Sequence, residues 1–275
     1  MTKTRLDILL VERNLIESRE KAKRVIMAGL VYSEQERLDK PGMKVDSTIP
    51  LTVKGKLIPY VGRGGLKLEK ALKYFGISVK DKIMVDVGSS TGGFTDCALQ
   101  NGLKRSYAID VGYNQLDWKL RNDDRVVVME RTNFRYVTKD MLQEGTPNLA
   151  TIDVSFISLR LILPVLRQLL AENSDVIALI KPQFEAGREQ VGKKGIVRDK
   201  KVHKQVLKDI IHFATEEEYE LIDLTYSPIT GGDGNIEFLA HFGWRKEKEG
   251  IPESPVEIEE VVEHAHHEFH TSQEK

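Results

Sequence analysis

Residues 82–95 read Lys82-Ile83-Met84-Val85-Asp86-Val87-Gly88-Ser89-Ser90-Thr91-Gly92-Gly93-Phe94-Thr95. A short apolar run reaches Asp86, breaks on Gly88 and resumes after Gly92-Gly93 as a helix-like segment from Phe94 to Asn101. A strand, a glycine-rich turn and a helix opening let backbone approach a ligand closely, since glycine turns without steric cost and a helix start presents free N–H groups. A second strand-like run, Ser106-Tyr107-Ala108-Ile109, ends in Asp110, 22 residues beyond Gly88. An acidic residue at about 20 positions past such a turn is placed to bond ribose hydroxyls at the edge of a doubly wound sheet.

Gly88 and Gly92 are four residues apart, so this is not the phosphate-binding G-x-G-x-x-G pattern. The spacing D-x-G-x-x-x-G-G suits a nucleoside ligand without pyrophosphate, and S-adenosylmethionine is the common one. Asp86, Gly88, Ser89, Ser90, Gly92, Gly93, Phe94 and Asp110 are the candidate contacts. The competing reading is a set of turn glycines in an ordinary α/β core.

Outward from this motif the chain alternates. Val126 to Met129, Leu149 to Ile152 and Val176 to Ile180 read as buried strands, with helix-length spacers that include Leu159 to Ala171 and His203 to Thr215. Leu221 to Tyr226 and Ile236 to His241 read as a closing hairpin across Ser227 to Asn235. The fold class is α/β, a doubly wound and mostly parallel sheet with an antiparallel C-terminal hairpin. Ligands in such sheets sit outside the carboxyl ends of the strands. Asp86, Asp110, Asp153 and Lys181 stand at those ends and are expected around one crevice.

Upstream, residues 5–16 place apolar positions at helical spacing. Ser18 is the expected N-cap of a helix from Arg19 to Ala28, with Gly29 as its stop. An extended Leu30-Val31-Tyr32 and a strand-like Ile49 to Val53 follow. Ser18-Arg19, Ala22, Ile26, Gly29 and Val31 resemble the small α+β RNA-binding module named after ribosomal protein four of the small subunit. Arg5, Arg19, Lys23 and Arg24, with Arg63 downstream, are the candidate RNA contacts. Residues 54–66 hold four glycines and a proline, a hinge composition. The expected division is 1–60 RNA module, 61–66 linker, 67–246 catalytic domain with a helix starting at Lys67, and 247–275 tail.

Composition is compatible with this division. The chain has 275 residues, 40% apolar and 30% charged, enough for one large and one small domain. Its net charge of −1 hides an uneven distribution, because residues 247–275 hold nine acids against two lysines. The first 60 residues carry twelve Lys or Arg against eight acids, which fits a polyanionic partner. The one cysteine, Cys97, rules out an internal disulfide and suits a reducing compartment. With no signal peptide or membrane span in the sequence, a cytoplasmic location is expected. The tail is expected to be a solvated, flexible extension, part-helical from Val256 to His270. Its histidines, with no thiol beside them, do not read as a metal site.

The order of features now resembles one family: an N-terminal RNA module, a Gly-rich linker, a lysine before the donor motif, then D-V-G-S-S-T-G-G-F, D-V-S-F-I-S, I-K-P-Q-F and G-N-I-E-F. Over residues 3–245 the chain is similar to the TlyA family of rRNA (cytidine-2′-O)-methyltransferases, with an FtsJ-like catalytic domain of Rossmann-like methyltransferase fold. The resemblance implies S-adenosylmethionine as cofactor, ribosomal RNA or ribosomal subunits as partner, and a Lys-Asp-Lys-Glu tetrad falling on Lys67, Asp153, Lys181 and Glu237. A 2′-hydroxyl is a poor nucleophile, so the enzyme must align an in-line displacement and remove one proton. Lys181 is the expected base and Lys67 the orienting cation, held by Asp153 and Glu237, although the lysines could exchange roles. Asn133 stands where FtsJ-type enzymes carry an acid near the adenine. Two other functions remain open at this point, a non-catalytic RNA-binding or ribosome-assembly factor and a haemolysin, a label this family has carried.

Overall fold

The computed structural model describes residues 3–27, 29–55, 58–231, 234–245 and 256–271. The chain forms two compact units, Met1–Pro59 and Tyr60–Lys275.

In the first unit, β1 (Lys3–Arg5) runs into α1 (Leu6–Glu12), followed by α2 (Arg19–Met27), β2 (Val31–Ser33), β3 (Glu36–Arg37), β4 (Lys44–Asp46) and β5 (Thr52–Val53). β1 pairs antiparallel with β4, and β2 lies between β3 and β5. The helix expected over 5–16 is therefore shorter. Arg5 is committed to pairing with Lys44 at one end, and Asn14 takes a left-handed φ of 55° at the other. The Ser18 hydroxyl accepts from the Lys21 N–H at 3.2 Å as an N-cap, and Gly29 (φ 70°) follows α2. Ala28, the expected last helical residue, lies outside the described residues. Leu6, Leu10, Ala22, Val25, Ile26 and Val31 are fully buried and form this unit's core.

The second unit contains α3 (Gly64–Phe75), β6 (Ile83–Val87), α4 (Gly93–Gln100), β7 (Arg105–Ile109), α5 (Trp118–Arg121), β8 (Val126–Met129), β9 (Leu149–Ile152), α6 (Leu163–Leu169), β10 (Ser174–Ile180), α7 (Pro182–Glu185), α8 (Lys200–Glu216), β11 (Glu220–Tyr226), β12 (Phe238–Trp244) and α9 (Ile258–Thr271). Its sheet has seven strands in the order β11-β12-β10-β9-β6-β7-β8. β10, β9, β6, β7 and β8 run parallel as successive neighbours, and β12 runs antiparallel between β10 and β11. The sheet is thus mostly parallel, and its last two strands close it antiparallel. Strand order reverses between β6 and β9, the switch point at which a crevice opens above the carboxyl ends.

Two expectations change here. The helix expected to start at Lys67 starts at Gly64, and the glycines read as a hinge serve close packing. A Cβ on Gly65 would lie 2.4 Å from the Tyr60 ring, and one on Gly93 2.8 Å from the Gly65 nitrogen. Bare backbone at these positions lets α3 lie against α4.

The tail expected as a flexible, solvated extension is also corrected over 258–271. There α9 packs on α8 and β11, with Val262 and Ala265 fully buried. Ile258, Val262, Ala265 and Phe269 recur at helical spacing and supply an apolar stripe. The acids that suggested solvation lie on the flank, where Glu263 pairs with Lys200 and Lys204, and Glu259 pairs with Lys208. Among the described residues no helix is long and apolar enough to cross a membrane, and no group of three or more His, Cys, Asp or Glu could hold a metal ion.

Candidate active site

The carboxyl ends of β6, β9 and β10 and the start of β12 surround a cavity of about 590 Å³. α3 contributes Lys67, one turn from its start. Asp153 follows β9, Lys181 follows β10, and Glu237 immediately precedes the antiparallel β12. Lys67 Nζ lies 2.7 Å from Glu237 Oε2 and 3.4 Å from Asp153 Oδ2. Lys181 Nζ lies 2.5 Å from Asp153 Oδ1 and 3.2 Å from the Ser155 hydroxyl. Asp153 therefore bridges the two ammonium groups. Burial alone would raise its pKa, but the charges and hydrogen bonds of Lys67 and Lys181 outweigh that and hold it below the usual carboxylate range. Lys67, Lys181 and Glu237 are buried, while Asp153 is partly open to the cavity.

Beside this set the glycine turn forms the floor. Gly88 (φ 82°) is left-handed, and a Cβ there would stand 2.6 Å from the Asp153 carbonyl oxygen, so only glycine fits. Gly88, Ser89, Ser90, Thr91, Gly93 and Phe94 all line the cavity.

Residues 60–244 match the FtsJ-like methyltransferase family, and residues 4–48 match the S4 domain. The chain belongs to the FtsJ-like methyltransferases of TlyA type. It is 69% identical over 265 residues to "Putative rRNA methyltransferase YqxC" of Bacillus subtilis (strain 168), covering 96% of this chain and 94% of that one. It is 38% identical to the "16S/23S rRNA (cytidine-2′-O)-methyltransferase TlyA" of Mycobacterium tuberculosis (strain ATCC 25618 / H37Rv), covering 96% and 97% respectively. A solved structure titled "Putative hemolysin from Streptococcus thermophilus" superposes with a TM-score of 0.79 at 53% identity and covers 100% of both chains.

Within this FtsJ-like domain the residues expected from the sequence divide. Lys67, Asp153, Lys181 and Glu237 converge, and Arg63 is exposed at the cavity rim. Asp86 does not reach the cavity. It lies inside β6, fully buried, and accepts from the Thr95 hydroxyl at 2.7 Å and the Thr151 hydroxyl at 2.9 Å. Burial pushes its pKa up to about 6 against the opposing pull of those two bonds. Asp86 fastens α4 and β9 beneath the turn and is a positioning group, because a strand residue facing the interior cannot also face a ligand. Gly92 (φ 96°) is likewise beneath the turn, where a Cβ would strike Leu120 Cδ1 at 2.2 Å.

Asp110 accepts from the Ser90 N–H at 2.8 Å and the Gly112 N–H at 2.7 Å, so it braces the glycine turn from β7. Asn133 is exposed, and its side-chain oxygen accepts from the Arg135 N–H at 3.1 Å to open a short 3-10 turn. Neither residue is among those lining the cavity.

Several cavity residues were missed. Ser155, Phe156, Gln183, Phe184, Lys194 and Asn235 line it as well. Phe156 has a left-handed φ of 65° and is 92% exposed, with its ring 5.1 Å from that of Phe184. The signal was present in D-V-S-F and K-P-Q-F, whose aromatic residues stand three positions after Asp153 and Lys181. An exposed aromatic side chain on strained backbone is not visible in a sequence.

In the S4 unit, Arg5 and Arg19 converge on buried Asp7, at 3.0 and 2.9 Å. The Arg5 hydrogen bond, helped by Arg19 and opposed by burial, holds the Asp7 carboxyl at about 2. Lys23 is exposed, and Arg24 is half-buried with Nη2 3.4 Å from the Ile58 carbonyl.

The cavity suits a nucleoside–amino-acid donor. Its floor is uncharged backbone and serine hydroxyls, its walls carry Phe94 and Phe184, and the carboxylates and amines stand together on one side.

Proposed function

We propose that this protein transfers a methyl group from S-adenosylmethionine to the 2′-oxygen of a cytidine in ribosomal RNA. The observation that carries the proposal is the convergence of Lys67, Asp153, Lys181 and Glu237 on one cavity beside the glycine turn. It is supported by the FtsJ-like and S4 matches and by the activity for which the TlyA relatives are named.

The donor, when bound, supplies a sulfonium-activated methyl group. Gly88, Ser89 and Ser90 contact its amino-acid and sugar portions, and Asp110 reaches the ribose from the β7 side. Asn133 bonds the adenine edge. Lys67 orients the 2′-oxygen, and Lys181 takes the hydroxyl proton at Nζ as the new O–CH₃ bond forms and the donor's S–CH₃ bond breaks. Asp153 and Glu237 stabilise the two ammonium groups and fix their positions, so little reorganisation is needed during the reaction. Phe156 and Phe184 offer π faces on which a splayed-out base can stack. Arg5, Arg19, Lys23 and Arg24 contact phosphates from the S4 unit, and Arg63 does so at the cavity rim. An acid-rich C-terminus beside a basic body fits a protein that works on RNA in the cytoplasm.

The test is methyl transfer from tritiated S-adenosylmethionine to purified small and large ribosomal subunits, followed by mapping of the label. The expected product is 2′-O-methylcytidine. Lys181→Ala should lower the rate by at least about a hundredfold, the contribution of a positioned base, and leave donor binding intact. Full activity in Lys181→Ala, or label on a base carbon or nitrogen, would refute the reading.

A further inference from the structure

Gln183 lies two residues beyond Lys181, in α7, and lines the cavity. Its Nε2 donates to Glu237 Oε1 at 3.2 Å, while Glu237 Oε2 takes Lys67. A carboxylate only accepts, so the amide must present its NH₂ group to Glu237, and Oε1 is left as the amide's remaining acceptor. That oxygen is buried and has no hydrogen-bond partner among the described residues. A buried unpaired carbonyl is costly, and folded proteins seldom keep one without a ligand to fill it.

Strand order limits what that ligand can be. The glycine turn and Asp110 follow β6 and β7, whereas Gln183 follows β10, with β9 and Asp153 between them. On the reading given above, on which this inference rests, the methyl donor lies on the β6–β7 side. The acceptor nucleotide then lies on the Gln183 side. An internal RNA nucleotide offers few hydrogen-bond donors, because its 3′- and 5′-oxygens are esterified. Its 2′-hydroxyl proton goes to the lysine, which leaves the N–H groups of the base. Cytosine carries an amino group at C4, where uracil has a carbonyl oxygen that would meet Oε1 acceptor to acceptor.

We propose that Gln183 Oε1 accepts a hydrogen bond from the 4-amino group of the target cytosine, and so sets the preference for cytidine over uridine. Gln183 is then a specificity-determining residue of the reaction. Its bond to Glu237 ties base recognition to the carboxylate that holds Lys67.

The test uses the full chain and two RNAs that differ only in carrying cytidine or uridine at the mapped position. The quantity read is the ratio of kcat/KM on the two RNAs, in which any common loss through Glu237 cancels. Wild type should favour cytidine, and Gln183→Met should reduce that ratio on the order of tenfold to a hundredfold, the range one base contact supplies. If the variant is too slow to assay, the same ratio is read as equilibrium RNA affinity in Lys181→Ala and Lys181→Ala/Gln183→Met proteins. An unchanged ratio, with both RNAs slowed equally, would overturn the proposal and leave Gln183 as a support for Glu237. Equal wild-type rates on both RNAs would overturn it too. No wild-type label on either RNA would instead remove the methyltransferase reading itself, and this inference with it.

Discussion

The seven-stranded sheet carries a buried charge network at each end. At the carboxyl end, two lysines are shared by two carboxylates, Lys181 on Asp153 and Lys67 on both Asp153 and Glu237. At the amino end a single carboxylate, Asp175 near the start of β10, is gripped by Lys82 at 2.6 Å, His241 at 3.0 Å and Arg245 at 3.0 Å. The amino-end set is the less buried, with Lys82 and Arg245 each 24% exposed against 7% for Lys67 and 8% for Lys181, yet the carboxylates respond alike. Asp153 and Asp175 are both held below the usual range, as neighbouring positive groups overcome the opposing effect of burial. A perturbed acid therefore does not identify the working end. The ratio of donors to acceptors does. Asp175 is saturated by three hydrogen-bonding partners, two of them the cations Lys82 and Arg245, which suits a staple, whereas the Asp153 set is balanced and opens on a cavity, which suits a group that must exchange partners during a reaction.

Removing the carboxylate charge at each end tests this contrast most sharply. Asp153→Asn should lower methyl transfer by about a thousandfold, within the range for a positioned acid–base system. Asp175→Asn should act on stability instead. It should cost about 3 kcal/mol of stability, as expected when one partner of a buried pair is removed, and leave kcat of the folded fraction near wild type. Chemical denaturation and single-turnover kinetics on the two variants would read both effects. Parallel losses in both assays for Asp175→Asn would erase the distinction.

The buried His203–His266 pair extends the comparison to a contact without fixed charge. His203 Nδ1 lies 2.9 Å from His266 Nε2, tying α8 to α9, and burial followed by His266 lowers the His203 pKa to about 4. The folded value lies below the unfolded one, near 6.5, so the unfolded chain binds the proton first. Stability from this group is complete above pH 6.5 and falls as pH drops from about 6.5 to about 4, by about 3 kcal/mol over the window. Urea midpoints at pH 7.5, 6 and 5 should show the slope in wild type and a flatter one in His203→Phe. Equal acid sensitivity in both would place the titration elsewhere.

The smallest effect is expected on the S4 unit. Arg19→Ala and Lys23→Ala should each weaken RNA binding several-fold and reduce the salt slope of log K by roughly 0.7–0.9 per contact. Unchanged affinity and slope in the double variant would remove that face from the RNA interface.

How much of this was legible in the sequence depends on whether a feature is local. Asp153, Lys181 and the glycine turn are each written as a strand ending in a charge or a turn, so the fold and these positions could be read before any coordinates, whereas Lys67 and Glu237 were suggested only by the family resemblance. Asp86 was misplaced because a charge near a strand end looks the same in sequence whether it faces a ligand or the interior. Gly64 and Gly65 looked like a hinge because composition does not show Tyr60 and Gly93 pressing on them. The stripe of α9 was obscured by its acids, and the unpaired oxygen of Gln183 depends on where Glu237 arrives from elsewhere in the chain.

That distance has a consequence for synthesis. Lys67 and Glu237 meet across 170 residues, and β12 enters between β10 and β11 as the last strand of the sheet. A nascent chain that has emerged only as far as β11 can hold the glycine turn and three members of the tetrad but lacks Glu237 and the strand that seats it. The four converging side chains therefore cannot all meet until β12 has been made, and closing a loop over most of the domain is the step that completes the set.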